Sequence, residues 1–235
     1  MEKTRGGTIT DASGLIGGLW KYYKVKLRFR SRCYGGVPKN KDMIRGWLEA
    51  KMGSGGDTDK LIARTEEEIV IAVDDAEKQS WCGFKIDVPH GLYIEGRQVK
   101  ACLKESANIL REKIGIIAFK ARLAERVFVL EDRIFLDRQE PDGSVERPIH
   151  VMTRQGPMTA LKKADYVERA AVDFTLKALD SPMVMSGSKN RVPPSVYLPV
   201  ILELAQEMGL GADRSQENGK FEVVEFEETE PEEID

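Results

Sequence analysis

The clearest pattern in the chain is a strict alternation of apolar and basic residues. Val25, Leu27 and Phe29 are the apolar members. The basic positions between and beside them are Lys24, Lys26, Arg28 and Arg30. Successive side chains of a β-strand point to opposite faces, so this period of two predicts a strand with one apolar and one basic face. Gly35 and Gly36 end that strand.

Apolar residues at helical spacing predict three helices. The first runs from about Lys41 to Met52, the second from Gly96 to Lys113, and the third from Ser195 to Met208. The second helix has the apolar stripe Val99, Cys102, Leu103 and Leu110. Gly209 follows the third helix, in the position that favours a C-cap.

The remaining β-prone segments are short and separated by turns. They are 68–73, 81–85, 91–94, 116–119, 127–135, 149–152, 171–176 and 220–226. Pro141-Asp142-Gly143-Ser144 is a turn signal between two of them. The order of strand, helix, several strands, helix and strand predicts an α+β fold with a ferredoxin-like core and a β-rich insertion.

The domain organisation predicted from these segments is a single α+β domain. It spans residues 20–226, with the insertion at about 114–165. Residues 1–19 contain five glycines and are expected to be a flexible arm. The acidic residues 227–235 are expected to be a disordered tail.

The net charge of −3 conceals an acidic end. The last nine residues, EETEPEEID, carry six acids and no base. The whole chain has 36 basic and 39 acidic residues, so without these nine residues it has 36 basic and 33 acidic residues. Residues 1–226 therefore carry +3. A mildly basic body is compatible with an anionic partner, and the tail either solvates the chain or competes with that partner.

Several classes of protein are excluded or disfavoured by composition. No run of about 18 apolar residues exists, and the first residues lack the apolar region of a signal peptide, so no membrane association is expected. Cys33, Cys82 and Cys102 are odd in number and lack a Cys-x-x-Cys pair. We expect free thiols in a reducing compartment and therefore a cytoplasmic location.

Catalytic motifs are also missing. The two histidines, His90 and His150, each stand alone and are expected to be structural. No nucleophile elbow, zinc-protease motif or P-loop is present. We therefore predict no catalytic residue, no metal ligand and no cofactor.

The basic strand is the first candidate binding surface. Its cations, together with those that follow, could contact phosphates while Tyr22, Tyr23 and Tyr34 stack on bases. The candidate residues are Lys24, Lys26, Arg28, Arg30, Arg32, Lys39 and Lys41. The alternative is a solvated face, or an edge strand protected from pairing by its lysines.

Both ends of the chain resemble the CRISPR RAMP superfamily. The string GLGADRSQENGKFEVV after the helix VYLPVILELAQEM resembles that family's C-terminal glycine-rich loop and last strand. KVKLRFRSRCYGG resembles its first strand and glycine-bearing turn. The resemblance covers about 45 of the 235 residues.

The resemblance implies a ferredoxin-like, RNA-binding subunit of a CRISPR-type ribonucleoprotein. Its implied partners are single-stranded guide-type RNA and other protein subunits or copies of the same chain. In the loop it implies phosphate contacts from Arg214, Ser215 and Lys220.

The chain also departs from the family's pattern. Glu217 replaces a glycine of the family's loop. The histidine of RNA-processing members is missing before His90, so RNA cleavage is not implied. Asp42 lies near a position where acidic residues cut RNA in some members, but an Asp at a helix start is an ordinary cap.

Two other functions remain open from the residues. One is a structural or assembly protein of a phage or mobile element that forms a homo-oligomer through its charged faces. The other is an enzyme acting on a phosphorylated small molecule, a hypothesis that is supported only by the glycine-containing C-terminal loop.

Overall fold

The computed structural model describes residues 18–39, 80–153, 156–187 and 190–230. Within these ranges the protein has an α+β fold of fourteen strands and three helices. The strands are β1 Trp20–Phe29, β2 Cys33–Tyr34, β3 Val37–Pro38, β4 Ser80–Gly83, β5 Lys85–Asp87, β6 Gly91–Glu95, β7 Val127–Val129, β8 Arg133–Phe135, β9 Gly143–Thr153, β10 Gly156–Val167, β11 Ala171–Leu179, β12 Met183–Val184, β13 Arg191–Val192 and β14 Phe221–Thr229. The helices are α1 Gly96–Ile114, α2 Phe119–Arg126 and α3 Pro194–Met208.

A four-stranded antiparallel sheet forms the centre of the fold, in the order β14-β1-β11-β7. Val25 of β1 lies opposite Phe174 of β11 on one side and Phe226 of β14 on the other. β7 pairs with the far end of β11. In chain order, α1 and α2 precede β7, and α3 connects β11 to β14. Each of these helical connections therefore crosses over one strand of the sheet.

One face of this sheet, the inner face, is buried against α1 and α3. Val25 is fully buried and Leu27 and Phe29 are 1% exposed. They share one hydrophobic core with Leu103 of α1 and Leu198 of α3. Burying each such side chain contributes about 1.5–3 kcal/mol relative to leaving it in water. The predicted alternation in β1 is confirmed: Lys24, Lys26 and Arg28 lie on the opposite, outer face.

A second group of strands surrounds a long hairpin inserted between β7 and β11. β9 and β10 pair along their whole length. β10 also pairs with β2, and in parallel with β4, which pairs with β3. β5, β6 and β8 form a separate three-stranded sheet. The segment that follows β1 is thus held by the hairpin.

Glycines set both ends of α1. A Cβ on Gly96 would lie 2.1 Å from the backbone oxygen of Glu131, so the helix can begin there only with glycine. At the other end Gly115 has φ 74°, and its N–H donates to the carbonyl of Arg111 at 2.9 Å. This is the left-handed cap that glycine adopts without strain.

The predicted helices at 96–113 and 195–208 are confirmed, but the predicted strand at 116–119 is wrong. Ile116 forms only a single bridge to Met185, and α2 begins at Phe119. Phe119 and Leu123 are both fully buried. Their spacing of four residues places them on one helix face, a signal that the short apolar run Ile116–Phe119 concealed.

β14 is longer than predicted. It continues three residues past Phe226 to Thr229, and Lys24 of β1 lies opposite Glu227. Residues 227–229, assigned to a disordered tail by their charge, are therefore part of the sheet. Opposite charges on paired strands stabilise the pairing, which explains why acids extend this strand.

Some predictions fall outside the described residues. They are the helix from Lys41 to Met52, the strand at 68–73 and the first 17 residues of the N-terminal arm.

Candidate nucleic-acid interface

The basic residues of β1 lie among acids on the outer face of the sheet. Lys26 is opposite Glu225 on β14 and Asp173 on β11, and its Nζ lies 3.6 Å from an Asp173 oxygen. Arg28 is opposite Glu222, with 4.0 Å between Nη1 and the carboxylate. The predicted basic face is therefore a mosaic of both charges.

Lys24 differs from its neighbours on this face. Its side chain is exposed and lies opposite Glu227 and Thr175 in the two adjacent strands. Among the described residues, none of the ion pairs within 4.0 Å involves Lys24, whereas Lys26 and Arg28 are both paired. Of these three cations, Lys24 is therefore the one whose charge is least compensated by a nearby carboxylate.

Arg30 and Lys220 meet at one carboxylate. Glu207 of α3 pairs with Arg30 at 2.5 Å and with Lys220 at 3.2 Å. These two cations hold the pKa of the Glu207 carboxyl below its ordinary value. Lys220 also pairs with Glu217 at 3.2 Å. Two of the predicted phosphate contacts thus come together, with acids between them.

The C-terminal loop, defined as residues 209–219, packs directly on the segment that follows β1. The Ala212 N–H donates to the Tyr34 carbonyl at 2.9 Å, and the Gly219 N–H donates to the Arg32 carbonyl at 2.8 Å. A Cβ on Gly211 would lie 2.7 Å from the Tyr34 carbonyl oxygen. The loop therefore needs glycine here, because two backbones are in contact.

Asp213 ties the C-terminal loop to the inserted hairpin. Its carboxylate accepts hydrogen bonds from Arg147 of β9 and, at 2.8 Å, from Lys162 of β10. The Arg147 guanidinium also lies 5.5 Å from the centre of the Tyr34 ring and donates to Gln216. Arg147 and Lys162 were missed by sequence reasoning, since only the pairing of β9 with β10 brings them to the loop.

The other predicted loop residues lie apart from this contact. Arg214 pairs with Glu105 of α1 at 2.9 Å. Ser215 is exposed in a short 3-10 turn. The structure does not bring Arg214 to the cations of β1.

Arg32 lies on an aromatic surface next to the loop. Its guanidinium is 4.3 Å from the centre of the Tyr166 ring, and its Nε donates to Glu168 at 2.6 Å. Tyr166 in turn lies 5.9 Å from Tyr34, ring centre to ring centre. Arg32 is exposed, and its ion pair with Glu168 is a surface pair that contributes little stability.

Lys39 does not fit its predicted place as a phosphate contact. The side chain is 7% exposed and forms an ion pair with Asp165, which is 3% exposed. The Lys39 Nζ also lies 4.7 Å from the centre of the Trp81 ring, and Lys163 lies on that ring at 4.0 Å. A buried charge that already has its counter-ion holds strands together rather than meeting an anion from solvent. Lys41 lies outside the described residues.

A small cleft opens where the C-terminal loop meets the start of α1. Glycines 35, 36, 83 and 211 line it together with Gln98, and its volume is about 80 Å³. The Gln98 Oε1 is buried and has no hydrogen-bond partner in the described part of the chain. The cleft has room for a few water molecules, one of which could donate to that oxygen.

Within the described ranges, no group of three or more histidine, cysteine or acidic side chains is placed to hold a metal ion. His90 is exposed and lies 3.4 Å from Asp87. No helix among the same residues has the length and apolar character needed to cross a membrane.

Comparison with solved structures finds likenesses to known folds. No family model matches the chain, and no curated protein matches it. The chain resembles part of the cryo-EM structure of the type III-B Cmr-beta bound to cognate target RNA, with a TM-score of 0.45 and 13% identity. The match covers 93% of this chain and 64% of the Cmr-beta chain. This protein therefore spans less than two thirds of the length of the chain it matches.

Proposed function

We propose that this protein is a non-catalytic, RNA-binding, RAMP-like subunit of a CRISPR-type ribonucleoprotein, built on a ferredoxin-like core. The core is supported by the sheet order, because the first, second, third and last strands of the unit (β1, β7, β11 and β14) are arranged fourth-first-third-second. A helical connection precedes β7 and another precedes β14. This order is the one expected of a βαββαβ arrangement of two split βαβ units.

The observation that carries the RNA-binding proposal is the contact between the two segments that resemble the RAMP family. They are far apart in the chain, yet Ala212 and Gly219 of the C-terminal loop donate to the backbone of Tyr34 and Arg32. A loop and a first strand that act together on one RNA must lie side by side. This geometry supports the resemblance independently of the residue types.

The mixed charges of the interface are compatible with phosphate binding. Arg30, Arg32 and Lys220 pair with acids at exposed positions. Exposed ion pairs are worth only about 0–1 kcal/mol, so a phosphate can replace the carboxylate at little cost. The remaining acids lower the affinity, and binding should therefore be moderate and strongly dependent on salt.

The domain boundaries are also part of the proposal. Residues 20–226 would form one domain, extended by the end of β14. We place the start of the β-rich insertion after β7 rather than at residue 114, because Phe119, Leu123 and Val127 are fully buried in the core. The buried thiols of Cys33 and Cys102 support a reducing, cytoplasmic setting. Other subunits, or copies of this chain, would complete the complex.

The test is direct binding of RNA by the purified full chain. Fluorescence anisotropy with a labelled, unstructured single-stranded RNA should give an affinity that falls steeply between low and moderate salt. The variant with Arg30, Arg32 and Lys220 changed to Glu should lose most of this binding. The matched control changes three exposed cations near the junction of α1 and α2, Arg111, Lys113 and Lys120, to Glu.

The controls separate the proposal from its rivals. Equal losses in both variants would mean that only net charge matters, and no binding at low salt would refute the proposal. A defined homo-oligomer that carries no nucleic acid, measured by light scattering and absorbance ratio, would instead support the assembly-protein alternative.

A further inference from the structure

The outer face of the central sheet divides into two halves of different chemistry. Towards the end of β1, Lys26 and Arg28 are paired with acids. Towards its start, the face carries Trp20, Tyr22 and, from β7, Phe128. We name these three residues the aromatic end.

Strand register places the three rings on one face. Tyr22 lies opposite Lys177 of β11, and Lys177 lies opposite Phe128 of β7. Side chains at opposed positions of neighbouring strands point to the same face. Trp20, two residues before Tyr22, shares that face by the same alternation. Three adjacent strands therefore contribute to one surface.

Two of the three rings contact each other, and all three remain accessible. Trp20 and Phe128 meet edge to face, with 5.8 Å between ring centres. Phe128 is 40% exposed, and Trp20 and Tyr22 are half-buried. Phenylalanine is among the residues most often fully buried, so Phe128 and the two neighbouring rings form an exposed aromatic patch on a face that no described element covers. Exposed apolar patches of this kind mark binding surfaces.

Cations lie on and beside these rings. The Lys177 ammonium is 4.7 Å from the centre of the Trp20 ring and 5.8 Å from that of Tyr22. Lys100 of α1 lies 4.9 Å from the centre of the Phe128 ring. Lys24 follows Tyr22 on the same face and is the least compensated cation of β1. Glu227 lies opposite Lys24 in the strand register, and the next acid of β14, Glu228, lies opposite Tyr23 and pairs with Lys21.

We propose that the aromatic end binds unpaired RNA bases by stacking, with Lys24 and Lys177 contacting the adjacent phosphates. This inference rests on the proposed RNA-binding function and assigns to it a second contact surface, separate from the C-terminal loop. Bases stack on aromatic rings without regard to sequence, and cations beside the rings complement the backbone.

Lys177 supports a nucleic-acid ligand over a purely apolar protein partner. Its ammonium now occupies the ring faces on which a base would stack. A surface cation–π contact is weaker than base stacking, so a base can displace this flexible side chain. The displaced ammonium would remain within reach of the phosphate that arrives with the base. An apolar partner would instead bury the charge without compensation.

The experiment compares ring-removing with ring-retaining variants of the full chain. The probe is a labelled polyuridine RNA, and affinity is measured by anisotropy at low salt. Trp20→Ala and Phe128→Ala should each weaken binding about fivefold to 100-fold, the range for loss of one stacked base. Trp20→Phe and Phe128→Tyr keep a ring and should stay within about twofold of the unchanged protein. Ile117→Ala is the matched control, because Ile117 is 58% exposed but not aromatic.

Photo-crosslinking locates the contact without relying on variants that fold poorly. RNA containing 4-thiouridine should crosslink to peptides that contain Trp20, Tyr22 or Phe128. Crosslinks elsewhere, with unchanged affinity of the alanine variants, would overturn this inference while leaving the proposed function intact. If the unchanged protein binds no RNA at any salt concentration, the proposed function itself fails. If the alanine variants lose only self-association, the aromatic end is a protein contact and the inference is wrong.

Discussion

The Lys39 ammonium forms a buried ion pair with the Asp165 carboxylate, and Trp81 binds both groups. The Trp81 Nε1 donates to an Asp165 oxygen at 2.8 Å, while the Trp81 ring faces the ammonium. Gly83 leaves space for the lysine, since a Cβ there would lie 2.4 Å from Lys39 Cε. This pair joins the segment after β1 to β4 and β10, and so supports the platform on which the C-terminal loop packs.

Lys39→Met should destabilise the protein by about 3–5 kcal/mol, because it leaves the Asp165 charge buried without a counter-ion. Urea denaturation at neutral pH measures the loss. The double variant Lys39→Met, Asp165→Asn removes both charges and keeps an acceptor for Trp81, so it should recover most of the stability. An additive loss in the double variant would contradict this account.

Glu207→Gln should increase RNA affinity about twofold to fivefold at low salt, because it releases Arg30 and Lys220 from a shared carboxylate. The gain should disappear at high salt, where surface charges are screened. The control is Glu203→Gln, an exposed position one turn earlier in α3. Equal gains in both variants would point to net charge alone, and a loss in Glu207→Gln would refute the proposed contact.

Gly219→Ala should cost at least about 2 kcal/mol of the free energy of unfolding, which combines left-handed strain with a backbone clash. Gly219 has φ 75°, and its Cβ would lie 1.8 Å from the Leu210 carbonyl oxygen. Gly187 is the matched control, since it also has positive φ but faces open space. Gly187→Ala should lose only about 1 kcal/mol. Similar denaturation midpoints for the two variants would show that the backbone of the C-terminal loop can shift to make room for a Cβ at position 219.

Cys33 and Cys102 should resist alkylation in the folded protein. Burial raises the pKa of the Cys33 thiol to about 12 and that of Cys102 to about 11. Both thiols therefore stay protonated as pH rises from 7 to 9, whereas the half-buried Cys82 should be labelled first. Peptide mass spectrometry after iodoacetamide treatment measures this order. In urea the three rates should converge; early native labelling of Cys33 would contradict its burial.

The sequence predicted the elements whose pattern is local. The alternation in β1 and the stripe of α1 each depend on residues a few positions apart, and both are confirmed. The strand β10 was missed because its sequence, with Lys162 and Lys163 side by side, does not alternate. It is stabilised by pairing with β9, β2 and β4, which no local pattern records.

The candidate site was predictable only in its residue types. The cations of β1 could be named from the sequence, but not the acids that face them, because Glu222 and Glu225 become neighbours of β1 only through sheet order. Lys39 was expected at the surface since its burial depends on Asp165, a residue distant in the chain. Tyr22 was noted as a flanking ring, whereas Trp20 and Phe128 join it only when β11 aligns β1 with β7.

The central place of β1 has a consequence for protein synthesis. Both of its neighbours in the sheet, β11 and β14, follow it late in the chain. As the chain leaves the ribosome, the apolar row of Val25, Leu27 and Phe29 emerges long before its two neighbouring strands and before α3, which packs on that row. Non-local pairing of this kind folds slowly and leaves apolar surface exposed in the meantime. The nascent chain should therefore depend on chaperones until Thr229 has been translated.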